Sequence, residues 1–184
     1  PLVFGNNDTP GVMLSSAAKE YLKIYGVLVG KKPIVFTNND SGYETAIEFK
    51  KNGIDPIVLD TRQDTNSEII KEAKELKINV KFSYVVVVAK GYKKVSSADI
   101  AKISEDKKNL TNIENIKCDC ICVSGFWTPT IHLASQSGNK TKFNEEIDAF
   151  IPSQSKQKET TLGSANGIFT LEETLKTSFE KGNE

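Results

Sequence analysis

The residues with the most chemistry to offer begin at Thr37-Asn38-Asn39-Asp40-Ser41-Gly42, a turn cluster behind an apolar run, with Asp60 closing the next run. A dinucleotide-binding turn reads G-x-G-x-x-G between a strand and a helix, with an acid about twenty residues on for the ribose. The frame here is Thr37-x-Asn39-x-x-Gly42, so only the third glycine is present. The first glycine permits the tight turn, the second lets backbone approach a pyrophosphate, and the third lets helix and strand pack closely. Thr37 and Asn39 put side chains where the phosphates would lie. Asp60 stands where the ribose acid belongs and is a weak cofactor-binding candidate. Its other reading is a solvated strand end or loop anchor, with Arg62 close enough to pair with it.

A second candidate is Gly163-Ser164-Ala165-Asn166-Gly167, ahead of the last apolar-periodic segment. Small residues at a helix N-terminus leave N–H groups and the helix dipole pointing outward, which suits an anion. The third cluster is Cys118, Cys120 and Cys122. An odd number at alternating positions is no disulfide framework, and on a strand i and i+2 lie at the limit of bridging. Zinc sites pair C-x-x-C turns with distant ligands, which the single His132 does not complete, so a buried strand in a reducing compartment is expected and no metal. No Ser-His-Asp or Cys-His arrangement can be assembled around His132, so no catalytic residue is assigned.

These residues need a scaffold, and the 184-residue length allows one domain or one and a half. Lys and Arg number 24 against 24 Asp and Glu, and 38% of residues are hydrophobic. A balanced charge argues against a nucleic-acid binder or an anionic membrane partner. The longest apolar tract, Val85–Ala89, is far short of the ~20 residues of a membrane helix. Pro1-Leu2-Val3-Phe4 has no signal-peptide character, and a start at Pro1 suggests a piece of something longer. A cytoplasmic protein is expected.

Spacing predicts a helix over Ser15–Tyr25 with Gly26 as its cap, then strand Pro33–Thr37, helix Tyr43–Asn52 and strand Pro56–Leu59. A helix capped by Ser67 runs to Leu76, and Ile78 begins another strand. This is repeated βαβ, hence a parallel sheet with right-handed crossovers. From Ser83 the helical period is lost. Strands Tyr84–Ala89 and Tyr92–Val95, an alternating Ala98–Ser104 and a polar link at Glu105–Asn109 describe an antiparallel meander, returning through Ile113 and Ile116 to a core strand, Cys118–Ser124. Thr130–Ser135 suggests a short helix, Lys142–Ile151 loop and strand, and Thr170–Lys181 a final helix capped by Thr170. Trp127 reads as a packing anchor. The expected fold class is α/β: a Rossmann-like parallel sheet with helices plus an antiparallel β meander, of the pyridine-nucleotide reductase NAD-domain type.

The runs Pro1–Leu14, Val35–Ser41, Gly125–Ser137 and Ala149–Pro152 resemble the alpha subunit of heterotetrameric sarcosine oxidase, most specifically in the Asn-Asn-Asp pairings and in Trp127-x-Pro129-Thr130-x-His132-Leu133. The resemblance covers essentially the whole chain. It implies a fragment: 1–25 flanking the first dinucleotide domain, 26–127 an inserted Rossmann-like domain, and 128–184 returning to the first. It implies beta, gamma and delta partner subunits, FAD and FMN in the complex, and NAD in the first dinucleotide domain of alpha, with none bound by this fragment. The implied activity is oxidative demethylation of sarcosine to glycine with oxygen and tetrahydrofolate, releasing hydrogen peroxide. Gly163, Ser164, Asn166 and Gly167 would match a late loop closing over the dinucleotide. Apolar faces at Val12, Leu14, Leu175 and Phe179 should then be exposed, and the fragment could self-associate. Two alternatives stay open: an NAD(P)H-binding domain of another flavoprotein amine or opine oxidoreductase, or a non-catalytic subunit-docking module.

Overall fold

A computed structural model describes residues 2–63 and 65–183, so Pro1 lies outside the described residues. The chain divides into two compact units, residues 1–126 and 127–184.

The first unit is built on five parallel strands: β1 (Val12–Leu14), β2 (Pro33–Thr37), β3 (Ile57–Asp60), β4 (Asn79–Phe82) and β8 (Cys120–Ser124), in the order β1-β8-β2-β3-β4. Three helices, α1 (Ser15–Tyr25), α2 (Ser41–Lys51) and α3 (Glu68–Glu75), form a layer on one face. A meander of β5 (Tyr84–Lys90), β6 (Ser97–Ile103) and β7 (Leu110–Lys117) covers the other. Alternation along each strand divides the two cores. Ile34, Phe36, Leu59, Ile121 and Val123 pack toward the meander, while Val35, Val58, Cys120 and Cys122 pack toward the helices. A sheet buried on both faces needs such unbroken apolar strands. Residues 12–25, placed among the flanks by the resemblance, supply the edge strand β1, paired in parallel with β8, and the helix α1 beside α2. Residues 2–11 run along the meander side, where Phe4 meets Phe36 edge-on and Gly5 bridges Val88.

Several expectations hold to the residue. β2 spans Pro33–Thr37, and α1 spans Ser15–Tyr25 with Gly26 left-handed at φ +62°. Others are corrected. Tyr92–Val95 is a connecting loop, because Val95 N–H is held by Pro10 O and Ser96 N–H by Lys90 O, leaving Tyr92 97% exposed. Leu110–Lys117 is a full strand whose alternation is broken by a bulge at Asn112, in the left-handed region at φ +50°. Ser67 stands at the N-cap of α3 but makes no side-chain cap bond.

The second unit contains α4 (His132–Gln136), an antiparallel hairpin of β9 (Thr141–Asn144) and β10 (Ala149–Pro152), a 3-10 turn at Gly163–Asn166, and α5 (Leu171–Gly182). Thr170 caps α5, accepting from Glu173 N–H at 3.4 Å. No residue of α5 is buried, and Leu175 and Phe179 are exposed, as is Leu14 in the first unit, whereas Val12 is half-buried against the meander-side core. Trp127, expected as an anchor, is 58% exposed and contacts Phe169 along one side.

Gly42 tests the helix–sheet contact. A Cβ there would stand 2.6 Å from Thr37 Cβ and Oγ1, so Gly42→Ala forces α2 off β2. Urea unfolding of this variant should show a loss of about 1–3 kcal/mol; an unchanged midpoint would mean that the two elements have room to separate.

Candidate functional site

In open α/β sheets ligands gather outside the carboxyl ends of the strands. The register here brings Thr37, Asp60 and Ser124 side by side at those ends, on β2, β3 and β8. All three are buried. The turn from β2 to α2 is the expected phosphate cradle, and its own side chains fill it. Asn39 Oδ1 accepts from Ser41 N–H at 3.0 Å and from Ser41 Oγ at 2.6 Å, while Ser124 Oγ reaches it at 3.3 Å. Asn39 Nδ2 donates to Gly125 O and to Asn38 Oδ1. Thr37 Oγ1 donates to Asn39 O at 2.7 Å and accepts from Asn39 N–H at 3.1 Å. A helix N-terminus has orphan N–H groups that a phosphate can take. Here the Ser41 N–H is held by a carboxamide oxygen, so the residues of this turn do not fit a pyrophosphate unless Asn39 swings out.

Asp60 is fully buried rather than solvated. Tyr43 Oη donates to Asp60 Oδ2 at 2.8 Å, and Arg62 reaches the carboxylate through its backbone N–H, Nε and Nη2. Arg62 Nη2 also pairs with Asp40 at 2.9 Å. Burial, then the Asp60 carboxylate, pushes the Tyr43 phenol well above its usual range. Burial works against the Arg62 guanidinium, but hydrogen bonds to Asp60 and Asp40 outweigh it and raise its pKa. Both Asp60 oxygens are thus engaged, and a ribose could reach them only by displacing Arg62. The sequence names Arg62 as a partner; Tyr43 carries no signal beyond being an aromatic in the first turn of α2. Beside this corner, Asn38, Thr61, Arg62, Ser104, Lys107 and Phe126 help line a cleft of about 480 Å3.

The second candidate is the small-residue turn that the sequence describes, a 3-10 turn at Gly163–Asn166 separate from α5. Gly167 and Ile168 donate back to Ser164 O and Gly163 O. Gly167 has φ +80°, and a Cβ there would lie 2.7 Å from Ile147 Cδ1, so glycine is required by both conformation and space. Asn166 borders a polar cleft of about 320 Å3 with Lys142, Ser153, Glu159 and Thr161. Hydrogen bonds from Ser137 and Asn139 hold the Glu159 carboxyl below its usual range.

Cys118, Cys120 and Cys122 are buried thiols, with Cys120 and Cys122 Sγ 3.6 Å apart on the helix side of β8 and Cys118 in the opposite core. The Cys120–Cys122 hydrogen bond lowers the Cys120 pKa and, with burial, raises that of Cys122. Burial, then Asp119 and Cys120, pushes the Cys118 thiol up to about 12. Among the described residues no group of three or more His, Cys, Asp or Glu could hold a metal ion, and no helix is long and apolar enough to cross a membrane.

Asp60→Ala leaves Arg62 and Tyr43 without their shared acceptor and should cost about 3–5 kcal/mol in denaturant unfolding; a loss within error would mean that water replaces the carboxylate. A thiol whose folded pKa is raised stabilises the fold below its unfolded pKa, near 9, and that contribution is lost as pH climbs toward 12. Stability should therefore fall over this window in the wild type and less steeply in Cys118→Ala; parallel curves would exclude Cys118 as a source of the fall.

Comparison with known proteins agrees with this architecture. No protein-family model matches the chain. It is 32% identical over 184 residues to the sarcosine oxidase subunit alpha of Corynebacterium sp. (strain P-1), covering 99% of this chain and 19% of that protein. It is 34% identical over 167 residues to the subunit of the same name from Rhizobium meliloti (strain 1021), covering 90% of this chain and 16% of that one. Among solved structures, Lactococcus lactis thioredoxin reductase superposes with a TM-score of 0.66 at 16% identity over 92% of this chain and 55% of its own. The flavoprotein disulfide reductase RclA from Escherichia coli superposes with a TM-score of 0.65 at 13% identity over 96% of this chain and 39% of its own. With the fold of the flavoprotein reductases, this chain resembles the sarcosine oxidase alpha subunit along nearly its whole length while spanning about a fifth of that subunit's.

Proposed function

We propose that the chain is a scaffold segment of a sarcosine oxidase alpha subunit, a nucleotide-type shell that encloses and positions without carrying a catalytic group. The observation that carries this reading is the Asn39 carboxamide standing on the Ser41 N–H, where a dinucleotide would set its pyrophosphate. The relatives named as oxidase subunits support the context. On this reading residues 26–127 are an inserted domain and bind no nucleotide, while residues 1–25 and 128–184 connect to a first dinucleotide domain. NAD is held in that first domain, and Gly163, Ser164, Asn166 and Gly167 are this chain's share of its enclosure. The complete assembly, with beta, gamma and delta subunits, FAD and FMN, converts sarcosine to glycine with oxygen and tetrahydrofolate and releases hydrogen peroxide. It works in the cytoplasm. The alternative of an NAD(P)H-binding domain needs Asp60 to receive a ribose, and the engagement of both Asp60 oxygens weighs against it.

Calorimetric titration of the chain with NAD, NADH and FAD should give no saturable heat. Micromolar binding, about −8 kcal/mol, to any of them would overturn the filled-cradle reading. Co-expression with an oxidase beta subunit should yield a complex that survives gel filtration, whereas clean separation would count against the scaffold role.

A further inference from the structure

We propose that the cleft beside the Asp60 corner is a binding site for a small aryl anion, a carboxylate or phosphate carried on one aromatic ring. The cleft encloses about 480 Å3 and lies wholly within the first unit. Its walls come from both strand layers. Thr61 and Arg62 follow β3, Ser83 joins β4 to β5, Ile103 ends β6, Lys107 stands in the turn to β7, and Phe126 follows β8. Ser83 fixes the junction: its N–H donates to Arg62 O at 2.9 Å, and its carbonyl accepts from Ile103 N–H at 2.7 Å.

Two observations point to the ligand. The first is what the lining offers. Two cations line the cleft, and no Asp or Glu does. Arg62 commits Nε and Nη2 to Asp60 and Asp40, which hold the guanidinium in place, while its Nη1 has no hydrogen-bond partner among the described residues. Those carboxylates balance the Arg62 charge, so Lys107 carries the surplus. Lys107 forms no ion pair among the described residues. The neighbouring Asp106 carboxylate is already taken by Ser104 Oγ and the Lys108 N–H. An anchored guanidinium edge and an ammonium together suit a carboxylate or a phosphate. Phe126, 68% exposed, and Ile103 add an apolar wall. A flat ring attached to the anion would cover it.

The second is backbone strain. Residues other than Gly, Asn and Asp rarely take φ near +60°. Among the described residues three do: Lys77 at +57°, Ser83 at +58° and Lys107 at +57°. Lys77 belongs to an ordinary helix stop after α3, with Ile78 N–H returning to Ala73 O and Lys77 N–H to Lys74 O. The other two both line this cleft. Glycine would adopt either conformation at less cost, and strain retained around a concave site marks residues that the site uses. A single-ring ligand has no need of the turn at Asn39, so the site neither requires nor contradicts the filled cradle.

Titration of the full chain with phenyl phosphate and with benzoate, followed by NMR chemical shifts, tests this. At least one should saturate with a Kd of about 1 mM or tighter, and which of them does so fixes the charged group. Inorganic phosphate, acetate and benzyl alcohol, each lacking half of the ligand, should bind at least about tenfold more weakly. Lys107→Gly should weaken binding about tenfold and at the same time raise the urea midpoint, because glycine takes the left-handed turn without strain. A merely structural lysine would not move the two in opposite directions. Phe126→Ala, at an exposed position, should remove the advantage of the aryl anion over the bare one with unchanged circular dichroism. Failure of both aryl anions to saturate would overturn the proposal. So would binding undiminished in Lys107→Gly, or an aryl advantage that survives Phe126→Ala.

Discussion

A helix that begins at the end of a buried strand must find acceptors for its first N–H groups, and the choice of acceptor at α2 organises this whole corner. Asn39 supplies it from two residues before Ser41, the first residue of the helix. The same carboxamide reaches across to β8, receiving the Ser124 hydroxyl and donating to Gly125 O, so one side chain ties the start of α2 to the end of a strand remote in sequence. Neighbouring residues then have little freedom. Thr37 must brace the turn through its hydroxyl, and because Thr37 occupies that space, position 42 must do without a Cβ. In a dinucleotide-binding turn the exogenous phosphate completes this set of bonds. Here the chain completes it alone.

The buried carboxylate at Asp60 extends the same logic to β3. A charge taken out of water must be paired and hydrogen-bonded. Tyr43 approaches from the first turn of α2 and Arg62 from the residues just past β3. Arg62 also binds Asp40, so helix start and strand end are joined a second time. The strand ends thus form a closed polar seam rather than an open crevice. This separates the fold, shared with flavoprotein reductases, from the chemistry those folds can host.

Much of the architecture was legible because period and punctuation agreed. Pro33–Thr37 could only be a doubly buried strand, and Gly26 and Gly53 stop their helices where the stripes end. The antiparallel layer was harder. Ile113 and Ile116, three residues apart, fall on opposite faces of β7, Ile113 in solvent and Ile116 against the meander-side core, and the Asn112 bulge breaks the alternation just ahead of them. Tyr92–Val95 has β-forming residues, yet its backbone bonds go to Pro10 and across the loop. At the cradle, residue types alone showed which glycines were missing and that side chains stood in their place. They could not show that Asn39 would turn its oxygen onto Ser41, nor that Asp60 would be fully enclosed, since both depend on β8 and α2 meeting across long sequence separations. The small-residue stretch at Gly163–Gly167 was legible as a turn ahead of the last helix, but that it closes on itself through the Gly167 and Ile168 N–H groups shows only in the backbone.

The position of β8 also governs how this protein must be made. It slots between β1 and β2, so these two strands, though close in sequence, touch only through a segment about a hundred residues downstream. A nascent chain emerging from the ribosome can assemble β2, β3 and β4 with their helices. It must still hold the outer edge of β2 open until Cys120–Ser124 arrive to close it. During that interval an apolar strand edge is bare, the condition under which partly made sheets recruit neighbours or chaperones.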